Sequence, residues 1–483
     1  MSISDKLTSL QNTVEDIRQS IVNKDVPVAT TDGFKVYPDA VRAIDFQDYT
    51  DTSLKPTIHG VNYYDYNGDL LYVYTPQEFL ALSAHPSQPA HTGLVADGWN
   101  WDLTDAQSFV RNTCDCLNIG GHYATDTGDT RLYIRIPEEL QGKNLWLGFY
   151  YRQTVKNGLT IDWGDGTTSV STATINGSTN SVHTYTNIQA DNFLIKVTPL
   201  EDCIYTLGNT NSYVGVFGYV YNTQRTNAVK LVKVEIGKNV SWQYGQFFRH
   251  CVNLETVSIP KEVNYPSMAG TYQFCDCTSL KGIVIPEGIT SITGTNVFSG
   301  MNNLRCFCAP KSLTSLQGSI CGYVDSFILP NVTTYSSSTV FRYARYVRRI
   351  YISEDAVTMP QYLIAQTSSL EELHLPQNNS NFTELAAYLL VETGLKTLEI
   401  PASITSMGNQ SAYGKSLETV IMRPTTPPTA ASINIFYSYP AYLKIHVPYS
   451  ADHSILNAYK TATNWTQFAS RIYELDENGN IPT

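Results

Sequence analysis

From residue 231 onward one short phrase recurs. Leu231-Val-Lys-Val234-Glu-Ile236, Leu254-Glu-Thr-Val257-Ser-Ile259, Leu280-Lys-Gly-Ile283-Val-Ile285, Leu304-Arg-Cys-Phe307-Cys-Ala309, Val324-Asp-Ser-Phe327-Ile-Leu329 and Val347-Arg-Arg-Ile350-Tyr-Ile352 share the form L-x-x-V-x-I. Leu370 to Leu375, Leu395 to Ile400 and Leu417 to Met422 continue it, and a degenerate copy stands at Leu443-Lys-Ile-His-Val447. Many copies close on proline, as at Pro260, Pro286 and Pro401. Successive copies begin roughly 20 to 26 residues apart, and a unit of that size cannot bury an apolar face by itself, so neighbours must stack. The expected result is a solenoid in which each unit gives one short parallel strand and a return path. Alternation turns the V and I positions inward and sets the intervening Lys, Glu, Ser and His on an outward ladder face.

The phrase also extends backwards, to Phe248-Arg-His-Cys251, Phe274-Cys-Asp-Cys277, Phe298-Ser-Gly-Met301 and Phe341-Arg-Tyr-Ala344, with the aromatic lost before Cys321. A slot that accepts Cys, Met and Ala wants a small or soft apolar group, which metal or redox chemistry would not tolerate. Phe274, Cys277, Leu280, Ile283 and Ile285 are therefore assigned to the solenoid core, with Cys275 and Asp276 on the outer bend and Pro286 opening the return path. Three C-x-C pairs, at Cys114/Cys116, Cys275/Cys277 and Cys306/Cys308, lack the C-x2-4-C or added His spacing of zinc sites. Asp162-Trp-Gly-Asp165-Gly could place two carboxylates on calcium, but the further alternating oxygen ligands are missing and a hairpin turn explains it as well. Asp65, Asn67 and Asp69 have the same reading. No metal, cofactor-binding or catalytic residue is assigned, because no nucleophile stands in a recognisable motif and the nine His are scattered.

Upstream the chain changes character. Ile3, Leu7, Leu10, Val14, Ile17 and Ile21 fall at spacings of four and three, a heptad pattern with Leu7, Val14 and Ile21 at a and Ile3, Leu10 and Ile17 at d. Isoleucine at d favours three strands over two, so residues 1–25 are expected to form a short trimeric coiled-coil stem; a single amphipathic helix packed on its own protein is the other reading. Residues 26–127 read as a linker and an α+β module. In it Val61 to Tyr74 is a hairpin turning at Asn67-Gly68, and Thr75-Pro76-Gln77-Glu78 opens a helix through Leu82. Residues 128–205 carry strands at 132–136, 145–150, 159–163 and 193–197 between Gly, Asn, Ser and Thr clusters, as a β-sandwich would. The solenoid takes 206–447 and a cap 448–483, giving a mixed, mainly β chain.

The set Phe-x-x-Cys-x-x-Leu-x-x-Val-x-Ile-Pro, followed by Pro286-Glu-Gly-Ile289-Thr-Ser-Ile292 or Pro401-Ala-Ser-Ile404-Thr-Ser-Met407, resembles the BspA-like leucine-rich repeat family. Val447-Pro448, Ala458-Tyr459-Lys460, Asn464-Trp465 and Arg471-Ile472 are similar to that family's C-terminal cap. Leu159-Thr-Ile-Asp162-Trp163-Gly164-Asp165-Gly166-Thr167 with His183-Thr-Tyr185 resembles the PKD-like sandwich signature. Tyr64 to Gly68, Gly98-Trp99-Asn100-Trp101 and Asp126 to Ile134 resemble a module of tail and other virion proteins of phages that infect gut bacteria. Together these resemblances imply a non-catalytic tail-fibre or receptor-binding protein. Its implied partners are other virion proteins and a host-surface polysaccharide or protein, and it would be assembled in the host bacterial cytoplasm.

Composition agrees with that expectation. The net charge of −11, from 32 Lys and Arg against 43 Asp and Glu, opposes binding to phosphate backbones. No window approaches 18 uninterrupted apolar residues, and MSISDKLTSLQ has no secretory pattern, so the expectation is a chain made in the cytosol that inserts in no membrane. Thirty-three Tyr provide flat, amphipathic recognition surface. Tyr213, Tyr219, Tyr221, Tyr244, Tyr335, Tyr343, Tyr346 and Tyr351 lie in or beside the solenoid. Which residues touch a receptor is not legible, and a decoration protein contacting only virion partners, or a bacterial surface adhesin, are the alternative readings.

Overall fold

A computed structural model describes residues 54–482, except 137, 139–140, 152–157, 173–176, 187–191, 202, 209–216, 218–229, 238, 244–245, 263, 319, 321 and 338–339. The heptad residues Ile3, Leu7, Leu10, Val14, Ile17 and Ile21 lie outside the described residues. Residues Pro56–Thr483 form one compact unit.

The α+β module is a four-stranded sheet of order β2-β1-β4-β3, with β1 Val61–Tyr64, β2 Leu70–Tyr74, β3 Leu94–Trp99 and β4 Leu117–Thr125. The β1/β2 turn differs from the expected two-residue hairpin. Asp65 N donates to Asp69 O and Gly68 N to Asp65 O, so Tyr66 and Asn67 are central and Gly68 follows with φ +89°. This is the longer loop in which glycine takes the left-handed position. Helix α1, Pro76–Leu80, starts where expected and ends two residues early; Thr75 and Glu78 form its capping box. Helix α2, Leu103–Asn112, is capped by Asp102, whose carboxylate accepts from Thr104 and Asp105 N–H.

The next strands form two sheets that share one core. One holds β5 Thr130–Arg135, β10 Asn192–Pro199, β7 Leu159–Asp162 and β8 Thr168–Ser171; the other holds β6 Asn144–Tyr151, β9 Gly177–Thr184 and β11 Tyr205–Leu207. β12, Lys230–Glu235, has the sequence of a first rung but also pairs antiparallel with β5, while its other edge pairs parallel with β13, Thr256–Ser258. One strand thus fuses the sandwich to the solenoid, and their apolar cores are continuous from Leu132 to Ile472.

The solenoid rungs follow as β13, then β15 Gly282–Val284, β17 Cys306–Cys308, β19 Ser326–Leu329, β21 Arg349–Ile352, β22 Glu372–His374, β24 Thr397–Ile400, β26 Thr419–Met422 and β28 Lys444–Val447. Neighbours pair in parallel register, as in Ile283↔Phe307, Phe327↔Ile350 and Val420↔Ile445. Two-residue strands of the return path make a second ladder, for example β16 Ser291–Ile292 on β18 Ser315–Leu316. Phe274, Cys277, Leu280, Ile283 and Ile285 are all fully buried. At the C-terminal end, helix α3 Ser454–Thr461 and strand β29 Ile472–Glu474 close the stack. Tyr459 Oη donates to Pro424 O and Trp465 Nε1 to Pro428 O, so the last turn's carbonyls are not left to solvent.

The ladder face is where structure and expectation part. It was expected to turn Lys, Glu, Ser and His outward, yet β4 crosses over rungs β13, β15, β17 and β19. His122 Nδ1 pairs with Ile259 O at 2.9 Å, Ser258 Oγ donates to Tyr123 O at 3.0 Å, and Asn118 Nδ2 donates to Ser326 Oγ at 3.0 Å. Asn100 Oδ1 accepts from Gly120 N at 2.9 Å, and Trp101 Nε1 donates to Ala309 O at 2.9 Å. At the far edge Arg349 and His59 alternate with Asp115 and Glu372: Arg349 Nη1 lies 2.6 Å from Asp115 Oδ1, and His59 Nε2 2.9 Å from Glu372 Oε1.

Glycine makes this approach possible. A Cβ on Gly120 would fall 2.5 Å from Val284 Cγ2, and one on Gly282 would fall 2.7 Å from the Gly68 backbone. Gly120→Ala and Gly282→Ala are each expected to destabilise the protein by ~1–3 kcal/mol through overpacking, read as a lower urea midpoint; an unchanged midpoint for both would mean that the module is not seated this closely.

His122 gives a pH handle on the same contact. It is fully buried, and burial pulls its pKa down to about 4 against the weaker opposing effect of the Ile259 carbonyl. Between the unfolded value of 6.5 and about 4 the unfolded chain takes a proton that the native chain refuses. Stability from this residue is therefore complete above pH 6.5 and is lost as the pH falls through that window, by up to ~3 kcal/mol. His122→Gln should show a correspondingly shallower fall in stability from pH 6.5 to 4 than the parent protein; parallel curves would contradict this.

Candidate binding surface

The three C-x-C pairs have three structural places, and none is a metal centre among the described residues. Cys277 Sγ points inward, 3.1 Å from Phe248 O, and burial pushes its thiol well up. Cys275, expected on the outer bend, is 7% exposed and so packs into the turn, while Asp276 beside it is half-buried at φ +59° and pairs with His250 Nδ1 at 3.0 Å. Cys306 and Cys308 occupy outward ladder positions, but the module lies on them: Cys308 Cβ is among the atoms that limit Gly120. Cys116 belongs to the covering side, 3.8 Å from Ser326 Oγ. Small soft side chains on both faces let two backbones come close.

Asp162 and Asp165 likewise have partners. Asp162 Oδ1 accepts from Gly164 N at 2.9 Å; Asp165 Oδ1 accepts from Thr167 N at 3.0 Å and Oδ2 pairs with His183 Nε2 at 2.7 Å. Burial raises the Asp165 carboxyl, but the bonds from Thr167 and His183 outweigh that and hold it below its ordinary value. His183 in turn stacks on Trp163 with ring centroids 4.7 Å apart, and Tyr185 Oη donates to Trp163 O. The D-W-G-D-G and H-T-Y segments therefore lock to each other. Asp65 is equally committed, to His91 Nε2 at 2.7 Å and Tyr66 N. Adding EDTA or calcium is expected to leave the melting temperature unchanged; a rise with calcium that EDTA reverses would show a cation site at these carboxylates.

The charged Asp126 to Arg131 segment is also internal. Arg131, nearly buried, reaches Asp129 Oδ1 at 3.1 Å, Glu235 Oε2 at 3.4 Å and Gly93 O at 2.7 Å, and also pairs with Asp126. It ties module, sandwich and first rung together.

What remains open is the ridge of turns. Within F-x-x-C-x-x-L the first, fourth and seventh positions point inward, and in the Phe274 turn Asp276, Thr278 and Ser279 stay half-buried on the outer side while Cys275 packs in. Adjacent turns are joined by backbone bonds such as Asp276 N to Ser299 O and Tyr343 N to Ala365 O. To aim these N–H groups along the stack the backbone enters the left-handed region at Tyr272, Asp276, Tyr343, Tyr362, Gln366 and Tyr388. Each such residue costs on the order of 1 kcal/mol. The ridge is rich in rings. Tyr362 and Tyr388 stack at 5.0 Å with 5° between planes, Tyr413 and Tyr437 lie 5.5 Å apart, and Arg249 sits 4.2 Å over Tyr272. Of the tyrosines placed in or beside the solenoid, Tyr335 and Tyr351 are buried, whereas Tyr343 and Tyr346 are 47% and 41% exposed. Tyr213, Tyr219, Tyr221 and Tyr244 lie outside the described residues. The end of the solenoid adds exposed Ile433, Tyr437 and Tyr442.

Sequence did carry one unread signal. Just before the last inward residue of each rung, the outward position is Ser258, Val284, Cys308, Ile328 and Tyr351 in the covered rungs, all buried, and His374, Glu399, Ile421 and His446 in the later ones, polar but for Ile421. Apolar side chains at outward positions marked the covered half.

A family model described as BspA type leucine rich repeat region matches in six copies, over residues 226–321 and 319–418. Among solved structures the chain is similar to a leucine-rich repeat protein from Bacteroides ovatus ATCC 8483, at 18% identity over 67% of this chain and 77% of that one, with a TM-score of 0.38. It is also similar to the pneumococcal vaccine antigen PcpA, at 14% identity over 50% of this chain and 69% of that one, with a TM-score of 0.23. No curated protein matches. Among the described residues no helix is long and apolar enough to cross a membrane.

Proposed function

We propose that the protein is a non-enzymatic recognition protein, a phage tail-fibre or receptor-binding component that holds the virion by its N-terminal segment and meets the host surface with its solenoid. The observation that carries this reading is the division of the solenoid's surface. Its early ladder is occupied by the chain's own module, while the turn ridge and the last turn expose Tyr343, Tyr346, Ile433, Tyr437 and Tyr442. Exposed aromatic side chains with few rotamers, on turns fixed by a rigid scaffold, suit contact with a polysaccharide or a protein. The heptad residues Ile3 to Ile21 would gather three chains, so that individually weak ridge contacts gain avidity through effective concentration. The virion assignment rests on the upstream resemblances at residues 61–134 and 159–185.

Fluorescently labelled full-length protein should bind intact cells of a gut bacterial host, and Tyr437→Ala with Tyr442→Ala should weaken that binding about tenfold, as loss of interface anchors does. Antibody-gold against the chain should decorate the tail tip of phage particles. Label confined to the head or to a bacterial envelope would replace the tail reading with a decoration protein or an adhesin. Absence of binding to any host cell would overturn the recognition reading.

A further inference from the structure

One turn of the ridge is unlike its neighbours. At the two outward positions before the rung, other turns carry Thr278 and Ser279, Asn302 and Asn303, or Ser368 and Ser369. The turn Phe341 to Val347 carries Arg345 and Tyr346 there, preceded by Arg342 and Tyr343. Phe341, Ala344 and Val347 are buried, so all four of these side chains lie on the outward side of one turn.

The arginines are placed without neutralising partners. The Arg342 guanidinium lies 4.9 Å over the Tyr343 ring and 4.9 Å over the Tyr362 ring, and its Nε donates to Gln366 Oε1 at 3.3 Å. The stacking holds the planar fork still and leaves its other N–H donors unused. Glu392, one turn further along the ridge, accepts from the amide of that same Gln366. Among the described residues no carboxylate pairs with Arg342 or with exposed Arg345, whereas Lys281, Lys311, Arg348, Arg349 and Arg423 on the same solenoid are all ion-paired. In a chain of net charge −11 this is a local positive site. Beside it Tyr346 packs on Tyr323 with centroids 4.0 Å apart, and Tyr343 is held at φ +69° with its ring nearly half exposed.

We propose that Arg342, Tyr343, Arg345 and Tyr346 form a subsite for an acidic polysaccharide, in which guanidinium groups take the carboxylates of uronate sugars and the tyrosine rings take the sugar faces. A guanidinium fork matches a carboxylate in two parallel hydrogen bonds, and a pre-stacked fork loses little freedom on binding. Aromatic rings offer the flat apolar surface that a pyranose presents in turn. The subsite rests on the recognition reading above and names its ligand class.

The test is affinity electrophoresis of the full-length protein in gels containing polygalacturonate, alginate or hyaluronate, with neutral dextran as control. The parent protein should be retarded by at least one uronate polymer and not by dextran, with retardation fading as salt rises. Arg345→Gln, which removes a guanidinium with no ion-pair partner among the described residues, should weaken binding severalfold, and Arg342→Gln with Arg345→Gln by about tenfold or more. Equal thermal melting of parent and variants excludes misfolding as the cause. Failure to bind any of the three polymers, or binding unchanged in both variants, overturns the subsite. Host-cell binding that survives in the double variant would overturn it while leaving recognition elsewhere on the solenoid intact.

Discussion

The close seating of β4 on the early solenoid rungs is the contact on which the rest of the arrangement depends. It needs glycine at positions 120 and 282, where any side chain would strike the opposite backbone or Val284. It also needs small or apolar outward groups at Val284, Cys306, Cys308 and Ile328, where a free ladder would present charges. Buried polar groups on both sides find partners across the seam, from Asn118 on Ser326 to Trp101 on Ala309. An unpaired buried amide would be costly, so the pairing fixes register as well as contact.

Two consequences follow for function. A ladder whose outward face is already occupied cannot offer it to a ligand, so the recognition proposed above has the turn ridge and the last rungs to use. The same packing makes the ridge stiff. Each turn is hydrogen-bonded to the next, and the core behind it runs unbroken from the sandwich to the C-terminal cap. Side chains such as Arg342 and Tyr343 are thus presented on a surface whose backbone freedom is already spent, which lowers the ordering cost of binding.

The parts of this structure visible in the sequence are those fixed by local periodicity. Phe274, Cys277, Leu280, Ile283 and Ile285 could be placed inward because the same spacing recurs many times, and the exchange of Cys, Met and Ala in one slot marked that slot as apolar core. The parts that were not visible involve contacts between residues some two hundred positions apart, such as Asn118 with Ser326. Cys306 and Cys308 show why: at the sequence level an outward thiol on a ladder has no evident purpose, and it acquires one once Gly120 is known to lie above it. β12 misled in a different way, since a rung sequence and a sandwich edge strand have the same alternation and it serves as both. The proposed binding positions have no periodic signature; Arg345 and Tyr346 differ from their neighbours in kind, and that difference has meaning only once the turns are aligned in space.

Hydrogen exchange of the intact chain, followed peptide by peptide with mass spectrometry, tests the seating of the module most directly. Residues 117–125 of β4 and residues 282–329 of the early rungs should exchange slowly and together, as one cooperative unit. Rapid exchange in β4 while the rungs stay protected would mean that the ladder face is open in solution, and the account of where this protein binds would fail with it.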